Sequence, residues 1–155
     1  MLAPGPADGA IQFVDARDLG AFMLRLAERA TGGIYNVVHA SGTVTRAGLL
    51  AMAAREARAD TSVTWADPDW LVDQMGDERY QAFPMWDEVD DPWAHRFDSS
   101  KAMGAGLRNR SVDVTVRDTL SWDRSLGPGT DRECGLSLER EADLLAQWRQ
   151  VPTAS

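Results

Sequence analysis

IQFVDARDLGAFMLRLAERATGGIYNVV, residues 11–38, is the stretch from which the fold is read. Ile11 to Val14 is short and apolar and predicts a strand. Asp15 then supplies a helix N-cap, and Asp18, three residues on, puts a carboxylate where the positive end of a helix dipole favours one. Leu19, Phe22, Met23, Leu26, Ala27 and Ala30 recur at helical spacing and predict one continuous apolar stripe. Gly32 and Gly33 stop the helix. Gly33 to Val38 (GIYNVV) is apolar without clean alternation, the pattern of a strand buried on both faces of a parallel sheet. Such a strand needs neighbours, and the remaining sequence offers few. Its sheet partners are therefore expected on another stretch of polypeptide.

Working outward, Met1 to Ala10 (MLAPGPADGA) is rich in Pro and Gly and predicts a loop, the truncated start of something cut from a longer chain. Thr43 or Thr45 caps a second helix running to about Arg58, with Leu49, Leu50, Ala53 and Ala57 inward. Thr61 to Trp65 alternates like a half-buried strand. Asp67 caps a short helix with Pro68 in its first turn, where the missing N–H costs nothing. Gly76 to Trp93 is irregular and aromatic. Asp98 caps a helix through Met103, and Ser111 caps another carrying Val112, Val116, Leu120 and Trp122. Leu126 to Gly135 is a polar linker. Ser137 caps the last helix, whose inner face is read as Leu138, Ala142, Leu145 and Trp148.

Composition narrows the function. With 155 residues, the chain is long enough for one domain with a hydrophobic core. A formal net charge of −8, with Arg interspersed among Asp and Glu, repels phosphate backbones and argues against nucleic acid. No run approaches the roughly 20 apolar residues of a membrane span, and Met1 to Gly9 lacks the regions of a secretory signal. Cytoplasmic localisation is the expectation. Cys134 is the one cysteine, too few for an internal disulfide or a zinc site and best read as incidental. His39 and His95 show no paired metal-ligand spacing, and no metal is expected.

Four segments in order carry a family resemblance: QFVDARDLGAFML (Gln12 to Leu24), GGIYNVV (Gly32 to Val38), FDSSKAMGAGLRNR (Phe97 to Arg110) and VRDTLSWDRSL (Val116 to Leu126). Together they resemble the C-terminal portion of an extended short-chain dehydrogenase/reductase, in the NAD-dependent epimerase/dehydratase branch. The tail GLSLEREADLLAQW (Gly135 to Trp148) resembles the ending of a bacterial subgroup. The resemblance implies an α/β fold: the tail of a Rossmann-type parallel sheet plus a small, mostly helical substrate-binding domain. It implies residues 1–10 as a truncated start, 11–60 as the end of the Rossmann-like region and 61–126 as the substrate-binding subdomain. Residues 127–136 would be a linker and 137–150 the C-terminal helix. It also implies a small-molecule substrate, with NAD or NADP as the cofactor of the parent family.

The family's catalytic groups are tested against this sequence. A dinucleotide site needs a Gly-rich turn between a strand and a helix, where backbone N–H groups meet the pyrophosphate. The pairs Gly104/Gly106 and Gly127/Gly129 follow no expected strand and lack the third glycine. The chemistry needs a Tyr with a Lys four residues later. The one Lys, Lys101, stands four after Phe97, while Tyr35 is followed by His39 and Tyr80 by Pro84. No catalytic or cofactor-binding residue is assigned, and no cofactor is expected for this chain alone. The activity expected is substrate binding for an NAD(P)-dependent epimerase, dehydratase or reductase, inactive without an N-terminal nucleotide-binding half. Partners are a small-molecule substrate and either a chain carrying that half or a second copy. The alternatives are a non-catalytic binding module and a nonfunctional remnant, the latter aggregating through unpaired edges around Gly33 to Val38.

Substrate contacts are assigned to Arg17, Trp86, Trp93 and Arg96. Arg17 lies between the acids Asp15 and Asp18, a group that would otherwise be helix capping plus a local ion pair. Arg96 offers a guanidinium suited to an anionic group, or a plain surface charge. Trp65, Trp70, Phe83, Trp86 and Trp93 form the aromatic pool for a pocket wall, or else for core packing. Asp98 and Lys101 match a family D-x-x-K but read as a cap and a solvated charge. Asn36 bonds either a neighbouring backbone or a ligand.

Overall fold

The computed structural model describes residues 1–83, 85–86, 94–127, 130 and 133–152. The chain is a mixed α/β protein with two small two-stranded sheets among those residues. β1 (Leu2–Pro4) pairs in parallel with β4 (Thr64–Ala66), Ala3 opposite Trp65. β2 (Ala10–Ile11) pairs antiparallel with β3 (Val44–Thr45).

Four of the described helices start at a side-chain cap. α1 (Ala16–Glu28) begins at Asp15, whose carboxylate accepts from Arg17 N. α2 (Arg46–Ala57) begins at Thr45, whose hydroxyl accepts from Gly48 N. α3 (Pro68–Met75) begins at Asp67, which accepts from Asp69 N and Trp70 N with Pro68 in the first turn. α4 (Glu78–Ala82) and α5 (Ser100–Gly104) are short. The N-cap of α5 is Ser99, which makes no side-chain cap bond, not Asp98 as expected; Asp98, one residue earlier, accepts from Ser100 N at 2.8 Å. α6 is Val112–Ser125 and α7 is Leu138–Trp148, the latter capped by the Ser137 hydroxyl.

The main core gathers Leu2, Ala66, Leu71, Met75, Ala82, Trp86 and Leu144. It joins the first strand to the last helix. A second cluster packs Phe22 of α1 against Ala102 and Leu107. The Gln12 side chain is buried: its Nε2 donates to the carbonyls of His39 and Phe97, and its Oε1 accepts the Phe97 N–H.

Several expectations are corrected. The Pro- and Gly-rich opening is not all loop. Leu2–Pro4 is a buried strand, because Thr64 to Ala66 supplies the ladder partner that a local reading cannot see. Gly33 to Val38 forms no strand. No backbone N–H from Ile34 to Val38 finds a backbone acceptor among the described residues, and Ile34 is 89% exposed. α1 ends at Glu28, before the glycine pair, and Phe22 is its one buried apolar residue while Met23 and Leu24 stay exposed. On α7 the buried position is Leu144, and Leu138 is 87% exposed, because the helix turns its 144/145/148 face to the core.

Candidate functional site

A cavity of about 440 Å³ opens between the parallel strand pair, α2 and α4. Leu2, Ala3 and Pro4 of β1 form one wall, Leu49 and Leu50 of α2 another, and Trp65, Phe83 and Trp86 a third. Its size falls in the range of small-molecule sites, roughly 300–1,000 Å³. The sequence builds it simply. Leu49 and Leu50, adjacent on α2, reach the cavity half-buried, and the β1–β4 pairing brings Trp65 beside the start of the chain. Phe83 and Trp86 meet edge to face, with ring centroids 6.0 Å apart, which holds the third wall. Arg46 and Glu141 bring opposite charges to the lining.

Of the residues assigned to substrate, Trp86 lies on this wall, buried. Trp93 lies outside the described residues. Arg17 and Arg96 do not line the cavity. Within the aromatic pool, Trp65 and Phe83 join Trp86, whereas Trp70 stacks on Trp148 with centroids 4.9 Å apart. Leu2 to Pro4 and Glu141 escaped sequence reading, because they reach the cavity only through the long-range strand pairing and the packing of α7. Asn36 Nδ2 donates to the Asp98 carbonyl at 3.2 Å, a neighbouring-backbone bond.

Arg17 belongs to a second feature, a charged network on the side of α1. Its guanidinium grips Asp15 in bidentate fashion, Nε to Oδ1 at 2.9 Å and Nη2 to Oδ2 at 2.7 Å, while Nη1 reaches Asp118 at 2.6 Å. Thr115 donates to the same Asp15 carboxylate, and Arg110 clasps Asp18. Hydrogen bonds from Arg17 hold the Asp15 carboxyl far below the usual carboxylate range, against the opposing effect of burial. Arg110 does the same for Asp18. Acids held ionised and saturated by hydrogen bonds make poor proton carriers at neutral pH. The network joins α1 to α6 and is read as architecture. Nearby, burial pushes the His39 imidazole below its ordinary value, and its Nε2 has no hydrogen-bond partner among the described residues.

The fit of a nicotinamide dinucleotide can be tested on the glycines. Gly104 ends α5, and Gly106 follows with φ +106° and Arg25 packed so close that a Cβ would lie 2.9 Å from its Cδ. Gly127 follows the end of α6 with φ +84°. Helix C-termini present carbonyls and partial negative charge, the reverse of what a pyrophosphate needs. Gly129 lies outside the described residues. Lys101 Nζ sits over the Tyr35 ring, 4.8 Å from its centroid, and donates to the Ile34 carbonyl. It meets the face of the ring, which is a packing contact. These residues do not fit the cofactor, and no step is derived through it.

Among the described residues, no group of three or more His, Cys, Asp or Glu side chains gathers as a metal site, and no helix is long and apolar enough to cross a membrane. No protein-family model, curated protein or solved structure matches the chain.

Proposed function

We propose that this chain is the substrate-binding C-terminal part of an NAD(P)-dependent epimerase, dehydratase or reductase of the extended short-chain type. In this reading the tail of a Rossmann-type sheet is completed by a nucleotide-binding half on another polypeptide, which also supplies the Gly-rich turn and the Tyr/Lys pair. The observation that carries the binding role is the aromatic-walled cavity, formed by side chains of this chain alone. The backbone N–H groups of Ile34 to Val38, which find no backbone acceptor among the described residues, support the need for a partner sheet. The same cavity also supports the plainer reading of a non-catalytic small-molecule module.

Calorimetric titration with 2-naphthol, NADH and NADPH tests the proposal. Saturable 2-naphthol binding that disappears in Leu50→Trp, which fills the cavity, is expected, with no saturable binding of either dinucleotide. Micromolar NADH or NADPH binding, or no 2-naphthol binding by folded protein, would overturn it.

A further inference from the structure

Residues 34–38 pack like a strand without a ladder. Tyr35 and Val37 are half-buried against the Phe22, Ala102 and Leu107 cluster, while Ile34 and Asn36 between and beside them are exposed. That alternation has the two-residue period of a strand. Yet no backbone N–H from Ile34 to Val38 donates to any acceptor among the described residues.

The two edges of such a segment differ. Successive residues of a strand turn their N–H and C=O groups to opposite edges. Lys101 Nζ donates to the Ile34 carbonyl at 2.9 Å and Asn109 Nδ2 to the Val38 carbonyl at 3.2 Å. The edge of residues 34 and 38 is therefore turned to this chain's own 101–109 stretch. The opposite edge bears Tyr35 and Val37, whose backbone N–H and C=O groups have no partner among the described residues.

Backbone groups of this kind select another strand, because only a strand repeats donor and acceptor at the same interval. Exposed edges are ordinarily guarded by charge or proline, and residues 32–38 (GGIYNVV) contain neither. A second copy of the chain complements this edge by symmetry, as a two-fold contact requires. In an antiparallel pair centred on Asn36, Tyr35 stands opposite Val37 of the partner subunit, an aromatic and β-branched pairing that favours the sheet. The net charge of −8 lies wholly outside these residues, so its repulsion acts at a distance, where salt screens it.

Resting on the reading above that this segment lacks a sheet neighbour, we infer that two copies of the chain associate through residues 34–38, paired antiparallel about Asn36. The Lys101 and Asn109 bonds occupy the other edge, so association stops at two copies. A nucleotide-binding half that claims the Tyr35 edge must displace the second copy.

Sedimentation of the intact chain, with hydrogen exchange of its backbone amides, tests the inference. A dimer is expected, with Tyr35 and Val37 N–H exchange slowed about tenfold or more on going from dilute to concentrated protein. Cross-linking checks the register in a chain whose exposed Cys134 is replaced by Ser. Asn36→Cys is expected to give a disulfide-linked dimer on air oxidation, since directly opposed residues at that position lie about 4.5 Å apart at Cα. Ile34→Cys is expected to stay unlinked, because the pairing sets the two copies of residue 34 about 14 Å apart along the strands. A monomer with fast exchange at Tyr35 and Val37 would overturn the dimer and leave the open edge standing. A monomer in which those amides exchange slowly would overturn the open edge as well. A dimer whose Tyr35 and Val37 exchange does not change with concentration, or one that links through residue 34 as readily as through 36, would overturn the proposed pairing. The exchange measurement needs no variant, so it decides the matter even if a cysteine variant fails to fold.

Discussion

Asp18 and Arg110 form a three-bond clasp across 92 positions of sequence: the Arg110 backbone N–H donates to Oδ2 at 2.8 Å, while Nε and Nη2 donate to Oδ1 at 2.9 and 2.7 Å. Asp18 is buried, so its charge depends on this partner. Arg110→Ala is expected to lower the midpoint of urea unfolding, since a buried carboxylate is left uncompensated. Arg110→Lys should recover part of that loss, because an ammonium cannot reproduce the planar fork. Equal stability for wild type and Arg110→Ala would remove the clasp from any structural role.

The same carboxylates set the acid limit. Asp15 and Asp18 titrate below their ordinary range when folded, so their stabilisation is full above the unfolded value near pH 4 and is lost progressively as pH falls below it through the lower folded values. His39 adds a separate window. Burial lowers its folded pKa, so the unfolded chain takes up the proton first and stability declines as pH drops below about 6.5. Thermal melts are expected to show the wild-type midpoint falling between about pH 7.5 and 5.5. His39→Phe, which keeps a ring against Phe13, should flatten that interval. A further fall below about pH 4 should persist in both proteins. Identical losses in the upper interval would show that His39 does not govern it.

Leu144 is wholly buried in the core that also holds Leu2 and Leu71. Arg140 and Glu78 pair at 2.9 Å, and Gly135 N donates to the Gln81 carbonyl, tying the tail region to α4. Leu144→Ala is expected to cost about 3 kcal/mol, within the usual range for a buried leucine. Leu138→Ala, at an exposed position, should change stability by less than about 0.5 kcal/mol. A differential scan of the two variants checks both, and similar losses would show that the inner face of α7 has been misassigned.

What was legible in the sequence was local. Asp15, Thr45, Asp67 and Ser137 announce helix starts because each cap bonds an N–H only two or three residues away. What was not legible depends on distance. Leu2 to Pro4 looks like a turn until Thr64 to Ala66 pairs with it. Gly33 to Val38 has the composition of a buried strand, but no described strand lies beside it, so composition alone cannot make it one. Arg17 looked available for a ligand because its second acid, Asp118, is 101 residues away. The aromatic pool pointed to part of the cavity through Trp65, Phe83 and Trp86, yet it could not separate them from Trp70, whose partner Trp148 stands on the last helix.

The claim that the ligand site is the aromatic-walled cavity is tested most directly by the indole N–H resonances of the six tryptophans in a ¹H–¹⁵N spectrum, recorded as 2-naphthol is added. Trp65 and Trp86 line the cavity, and Trp122 on α6 is exposed and outside it. Saturable movement of the Trp65 and Trp86 signals, with Trp122 unmoved, is the expected result. Saturable binding that leaves Trp65 and Trp86 in place would contradict the assignment and put the ligand elsewhere on the molecule.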